Sequence, residues 1–188
     1  MQYEQREPGK VTLRVVASHR LDDADQSRLG KARIEREDGF VESGVDRGAK
    51  LDGEGGIAAV NTGTGTIGIV ANAAVTGTNF EGILAIGNNA VTVKVAAPVT
   101  GATRGLALSG GGGGTGDISV TGAGGFVGQN GAGADIANNG SGNVTVAITG
   151  ATSATGGSGI VVADTLVGGD IAVTTGAVTS TTSHGISI

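Results

Sequence analysis

A five-residue phrase written five times constrains this chain more than any other feature. A glycine or Asn, a small or turn-forming residue, an aliphatic, any residue and a second aliphatic recur as Gly65-Thr-Ile-Gly-Ile69, Asn89-Ala-Val-Thr-Val93, Gly116-Asp-Ile-Ser-Val120, Gly142-Asn-Val-Thr-Val146 and Gly169-Asp-Ile-Ala-Val173. Asp and Asn favour turns, whereas Ile and Val at every second position suit the buried face of a strand. Each copy therefore reads as a corner followed by a strand. Ile67, Val91, Ile118, Val144 and Ile171 are the equivalent first aliphatics, and Asp117, Asn143 and Asp170 are equivalent corner residues.

A second phrase, a glycine followed by small and aliphatic residues, precedes each copy of the first. It reads Gly56-Ile-Ala-Ala-Val60, Gly82-Ile-Leu-Ala-Ile86, Gly105-Leu-Ala-Leu108, the weaker Gly131-Ala-Gly-Ala-Asp-Ile136, Gly159-Ile-Val-Val162 and Gly185-Ile-Ser-Ile188. The marker glycines 56, 82, 105, 131, 159 and 185 are separated by 26, 23, 26, 28 and 26 residues. Self-similarity at a period of roughly 20 to 50 residues signals a solenoid or array. A third, weaker phrase sits at Ala74-Val75-Thr76-Gly77, Pro98-Val99-Thr100-Gly101, Gly125-Phe126-Val127-Gly128 and Ala177-Val178-Thr179. Three strands per turn is the resulting expectation.

Composition agrees with stacking. With 38 glycines, 2% aromatic residues and no cysteine among 188 residues, a layered globule has few large side chains to bury, whereas a solenoid aligns small ones along its axis. No long helical pattern separates the apolar phrases, so crossover helices cannot join parallel strands. The chain is expected to coil as a parallel β-helix of about five turns, each lying about 4.8 Å from the last. Val and Ile line the interior, with Thr, Asn, Asp and Gly at corners or outside.

Residues 1–52 are a different text from the repeats of 53–188. Ten basic and ten acidic residues fall in the first 50, against two and seven in the rest, and only five of the glycines. Within this segment Lys10 to Ala17 suits a strand, and Leu21 to Asp38 suits a helix capped by Asp22 or Asp23 and weakened by Gly30. A poorly ordered leader or a cap on the first rung is expected there.

The formal charge of −5 leaves only Lys94 and Arg104 basic after Lys50, which argues against a nucleic-acid partner. No run of about 18 apolar residues suggests a membrane-spanning helix. The apolar stretch Val11 to Ala17 is interrupted by Arg14, unlike a secretory signal. Absence of cysteine removes disulfides and thiolate metal sites.

The Gly169-Asp-Ile-Ala-Val173 type of phrase, followed after a Thr- and Gly-rich stretch by Gly185-Ile-Ser-Ile188, resembles the passenger domains of bacterial autotransporters and related surface proteins with β-strand repeats. The resemblance covers about residues 53 to 188. It implies a right-handed parallel β-helix displayed on the cell surface or secreted, acting as a stalk or adhesion scaffold, with surface glycans or proteins of host or bacterium as partners. Neither the family's export signal nor its translocator barrel is recognisable in these residues. Neighbouring repeats are expected beyond Ile188, since the last phrase opens a sixth turn.

Candidate chemistry is sparse. Gly63-Thr-Gly-Thr-Ile-Gly68 fits the dinucleotide fingerprint, with Glu81 following, but the residues after it are poor helix formers and the fingerprint needs a helix N-terminus. The glycines 110 to 114 with Asp117 approach a calcium nonapeptide out of register. His19 and His184 lack motif neighbours. No nucleophile elbow, cofactor or metal motif is found, and catalysis is not expected.

Some parallel β-helices are polysaccharide lyases or hydrolases, and that alternative requires Asp117, Asp135, Asp164 and Asp170, or Lys94 and Arg104, to line one groove. An ice-binding face requires threonines at one place on every turn. The runs Thr62 to Thr66, Thr174-Thr175 and Thr179 to Ser183 shift from turn to turn.

Overall fold

The computed structural model describes residues 10–15, 33–36, 40–45, 51–53, 56–61, 65–111, 114–165 and 169–188. All regular structure among them is β, arranged as three parallel sheets that share every turn of one coil.

The repeat turns run in a fixed order. A first strand in sheet B, the Gly-Ile phrase, is β5 (Ile57–Asn61), β8 (Ile83–Gly87), β11 (Leu106–Gly110), β14 (Ala134–Asn138), β17 (Ile160–Asp164) and β20 (Ile186–Ser187). A second in sheet A, the corner-strand phrase, is β6 (Ile67–Ala71), β9 (Val91–Val95), β12 (Ile118–Gly122), β15 (Val144–Ile148) and β18 (Ile171–Thr175). A third in sheet C is β7 (Val75–Gly77), β10 (Val99–Gly101), β13 (Phe126–Gly128), β16 (Thr152–Ala154) and β19 (Val178–Ser180). The expected five-turn parallel β-solenoid is present, and consecutive strands of each sheet lie one turn apart.

The columns follow the sequence reading. Ile67, Val91, Ile118, Val144 and Ile171 stand in register in sheet A, with Ile69, Val93, Val120, Val146 and Val173 two residues on. Four of the first set, Ile67 to Val144, are buried, because alternate residues of a strand point to one side and that side is the interior. Sheet C stacks Val75, Val99 and Phe126, and then Thr152 and Val178. Thr152 occupies an inward position that an aliphatic was expected to mark. It is buried, and its Oγ1 accepts the Phe126 N–H at 3.4 Å, so its hydroxyl is not left dry.

The marker glycines form a column at the C-to-B corner, with one correction. The N–H groups of Ile57, Ile83, Leu106, Ala134 and Ile160 donate to the carbonyls of Gly82, Gly105, Gly133, Gly159 and Gly185. In the fourth turn the equivalent residue is therefore Gly133, not Gly131, and the spacings become 26, 23, 28, 26 and 26 residues. Side chains are excluded there by close approach: a Cβ on Gly82 would lie 2.6 Å from Val99 Cγ1 and 2.7 Å from the Thr100 oxygen.

The unequal periods arise mainly at one corner. The A-to-C connections 72–74, 96–98, 123–125 and 149–151 are three residues each, and the last, 176–177, is two. The B-to-A connections instead vary from 88–90 to 111–117. Asn138 closes one of them from the inside: buried, it donates to the Gly142 oxygen at 2.7 Å and accepts the Gly140 N–H at 3.1 Å.

Four strands precede this array: β1 (Lys10–Val15), β2 (Arg33–Arg36), β3 (Phe40–Val45) and β4 (Leu51–Gly53). β2 pairs with β5, β3 with β6 and β4 with β7, while β1 pairs with β3. The coil's three sheets thus extend into the charged segment 1–52. The strand expected from Lys10 is present. The helix expected over Leu21 to Asp38 is contradicted at Arg33–Arg36, where register with Ala58–Asn61 overrides local helix preference; residues 21–32 lie outside the described residues.

Replacing Ile118, fully buried in the middle turn, with Asp should collapse the β circular dichroism at ambient temperature, since an unpaired carboxylate would sit in the apolar interior. Ile171→Asp should fray the last turn only, because Ile171 is half-buried there, and Thr115→Asp, at an exposed corner, should leave the melting temperature unchanged.

The glycine column gives a second contrast. Gly105→Ala places a methyl 2.6 Å from the Gly133 oxygen and should cost about 2–3 kcal/mol. Gly185→Ala, whose Cβ meets only the Val178 oxygen at 3.7 Å, should be nearly neutral in thermal melts.

Candidate functional site

The sheets differ on their outer faces, and these faces are what a partner would meet. Sheet C presents Thr76, Thr100, Val127, Ser153 and Thr179 in one file. Sheet A presents Thr92, Ser119, Thr145 and Ala172, beside Lys94, Thr121, Ala147 and Thr174. Hydroxyls therefore do align on successive turns, at mid-strand positions that include Thr174 and Thr179 of the runs singled out from sequence; residues 62–64 of the first run lie outside the described residues. Sheet B is aliphatic at its outward positions: Ala58, Leu84 and Ala107, the last of them buried, form one file, followed by Asp135 and Val161. Val60 and Ile86 lie beside them, Ile86 exposed.

The corner before sheet A holds the expected file of Asp117, Asn143 and Asp170. Asp117 Oδ1 accepts the Asn143 N–H at 2.8 Å, and Asn143 Oδ1 accepts the Asp170 N–H at 2.9 Å. Each side chain reaches one turn ahead and satisfies a backbone donor that would otherwise face water. The file is a corner brace, built because Asx side chains accept from nearby backbone N–H groups.

The opposite corner carries Glu81, Arg104, Ala132, Ser158 and His184 in one file, each carbonyl accepting from the glycine of the preceding turn. Arg104 reaches both ways along the axis. Its Nη1 lies 3.5 Å from Glu81 Oε1 and its Nε lies 3.2 Å from Asp135 Oδ2. Sequence spacing gave no hint of this trio, because its members sit in three different phrases. His184 is exposed and its Nδ1 lies 3.3 Å from Ser183 Oγ. Ser183 Oγ also lies 3.1 Å from Ser158 Oγ.

The residues proposed as possible catalytic groups take several places on the coil. Asp117 and Asp170 lie at the corner before sheet A, Asp135 on the outer face of sheet B, and Asp164 at the end of β17 opposite Asn138. Lys94 is on the outer face of sheet A, between Val70 and Thr121, away from Arg104. Among the described residues no group of three His, Cys, Asp or Glu side chains could hold a metal ion, and no helix is long and apolar enough to cross a membrane. Ile67–Ala71, which a dinucleotide fingerprint at 63–68 would need as a helix, is a strand.

Compared with protein-family models, curated proteins and solved structures, the chain finds no match in any of the three.

The brace makes a direct prediction. Asn143→Ala removes an acceptor and should lower stability by about 1 kcal/mol in urea titrations, whereas Asp117→Asn keeps the accepting oxygen and should change it little.

Proposed function

We propose that this chain is a stalk or adhesion scaffold of a bacterial surface-displayed or secreted repeat protein, presenting its outer faces to surface glycans or proteins. The observation that carries this reading is the character of those faces. They are regular files of Thr, Ser and small aliphatics, and several of the ionised side chains among them have structural roles: Asp117 braces a corner and Arg104 pairs with two carboxylates. The sequence likeness of residues 53–188 to autotransporter passengers points the same way.

A rod of this type holds a neighbouring segment away from the cell at small cost in side-chain chemistry, since inter-turn backbone bonds do the holding. Contacts with a partner are then spread over many weak sites along the faces, and avidity comes from repetition.

Two measurements test this. Antibodies to the folded solenoid should label the outer surface of intact cells of the source bacterium, or the medium; labelling that appears only after permeabilisation removes the display reading. Incubated with a panel of polysaccharides, the purified chain should release no new reducing or unsaturated ends. Cleavage that disappears in Asp135→Asn or Asp170→Asn would establish the competing carbohydrate-active enzyme instead.

A further inference from the structure

Of the nine asparagines in the chain, only Asn130 and Asn139 are followed by glycine. The distinction is chemical. The backbone nitrogen after an asparagine can attack that asparagine's own side-chain amide, and a Cβ on the following residue obstructs the approach, so asparagine before glycine is the most labile case.

The fold treats the two pairs differently, and Asn139-Gly140 is locked. Gly140 is buried, and its N–H, the attacking group, donates to Asn138 Oδ1 at 3.1 Å. Asn139 Nδ2 donates to Ser109 Oγ at 2.9 Å, while its Oδ1 accepts from Thr165 Oγ1 at 3.4 Å. The flanking N–H groups of Asn139 and Ser141 donate to the Gly110 and Gly114 oxygens at 2.8 and 3.2 Å. The Gly111 and Gly114 oxygens would each lie 2.4 Å from a Cβ on Gly140, so the backbone there has no room to turn. Closing a ring at this pair breaks several bonds at once.

Asn130-Gly131, in the C-to-B corner between β13 and β14, is open. Asn130 is exposed, and among the described residues its side chain makes one bond, from Nδ2 to the Ala102 oxygen at 2.8 Å, a surface bond that water can replace. The N–H groups of Asn130, Gly131 and Ala132 have no acceptor among the described residues. The nearest engaged donors are Gln129, to the Gly101 oxygen of the preceding turn, and Gly133, to the Ser158 oxygen of the next. Residues 130–132 are thus pinned only at their ends, and the attacking nitrogen is not held by a protein group.

We propose that Asn130 is a site of spontaneous deamidation in the folded protein and that the fold protects Asn139 from it. The Gly131 nitrogen loses its proton and bonds to Asn130 Cγ, the Cγ–Nδ2 bond breaks, and ammonia leaves. Water then opens the cyclic imide at either carbonyl, giving aspartate or isoaspartate at position 130. No oxidant or reductant enters the balance. Both products exchange a neutral amide for a carboxylate and remove the donor to the Ala102 oxygen. Isoaspartate also lengthens the main chain by a methylene, in a corner tied to the turns on both sides through Gln129 and Gly133, and so loosens that turn.

The test follows the whole chain of residues 1–188, folded in buffer and unfolded in guanidinium chloride, by peptide mapping with mass spectrometry during incubation at neutral and mildly alkaline pH. In the unfolded chain both Asn-Gly pairs should convert at similar rates. In the folded chain Asn130 should convert nearly as fast as when unfolded, and Asn139 about tenfold or more slowly, since its reaction waits on local opening. Isoaspartyl methyltransferase with labelled S-adenosylmethionine should mark position 130, and the rate there should rise with pH, as loss of the nitrogen's proton requires. Gly131→Ala, whose methyl would lie 3.0 Å from the Thr103 oxygen, should slow conversion at 130 and leave Asn139 as it was. Should that variant lose its β circular dichroism, Asn130→Gln should abolish the acidic species that ion exchange resolves from the aged chain. Equal rates at the two sites in the folded chain, an Asn130 as slow as Asn139, or acidic species that persist in Asn130→Gln would overturn the proposal. None of these outcomes depends on what the outer faces bind, so the test stands apart from the functional reading.

Discussion

The whole structure rests on the hydrogen bond from one turn to the next. Every strand of the repeat is parallel to its neighbours a turn away, and almost none of its backbone pairing is local. A slip of one residue would turn Ile118 outward and Ser119 inward, and the column of Ile67, Val91, Val144 and Ile171 would be broken at the middle. Three corners hold that register, and they share the work unevenly. The short A-to-C connection fixes the relation of two strands almost by geometry, and the glycine column fixes the close approach at the C-to-B corner. The B-to-A corner is free to absorb inserted residues, as the seven of 111–117 show beside the three of 88–90.

That division explains the composition. A coil whose strands from β5 to β19 are three or five residues long has a narrow interior, filled among the residues of described burial mainly by Val, Ile, Leu and Ala, with Phe126 the largest side chain. Large aromatic side chains have little room there, and a branched residue at the glycine corner would strike the backbone of the adjoining turn. The same economy makes the coil's stability a matter of neighbours. Central positions such as Ile118 and Val144 are sealed by the residues of the turns on both sides, so each turn depends on its neighbours for its burial.

Much of this was legible in the residues. The corner-strand phrase announces both the corner and the inward column, and its five copies fall in the register that counting gives. The places where reading failed share a physical cause. Gly131-Ala-Gly-Ala134 alternates equally well in two phases, and only the inward column of Ala59, Ala85, Leu108 and Ile136 selects Gly133. Thr152 was invisible as a core residue because only its methyl, not its hydroxyl, resembles Val178 on the next turn of its column. The Arg104 trio depends on neighbours a full turn apart, which no local motif encodes. At Arg33–Arg36 the partner strand decides, and a partner strand lies outside any local window.

Function is less legible for a related reason. Stacking dictates what points inward and leaves the outward positions almost free, so the faces record whatever a partner or solvent has required of them. Here they diverge: sheets A and C carry hydroxyls on neighbouring turns, while sheet B carries Leu84, Ile86 and Val161. The inter-turn bond has no built-in stop, for the geometry that places β18 on β15 is the geometry that β18 offers to whatever comes next. In a coil without closure, the interaction that makes the fold is also the one through which the fold is extended.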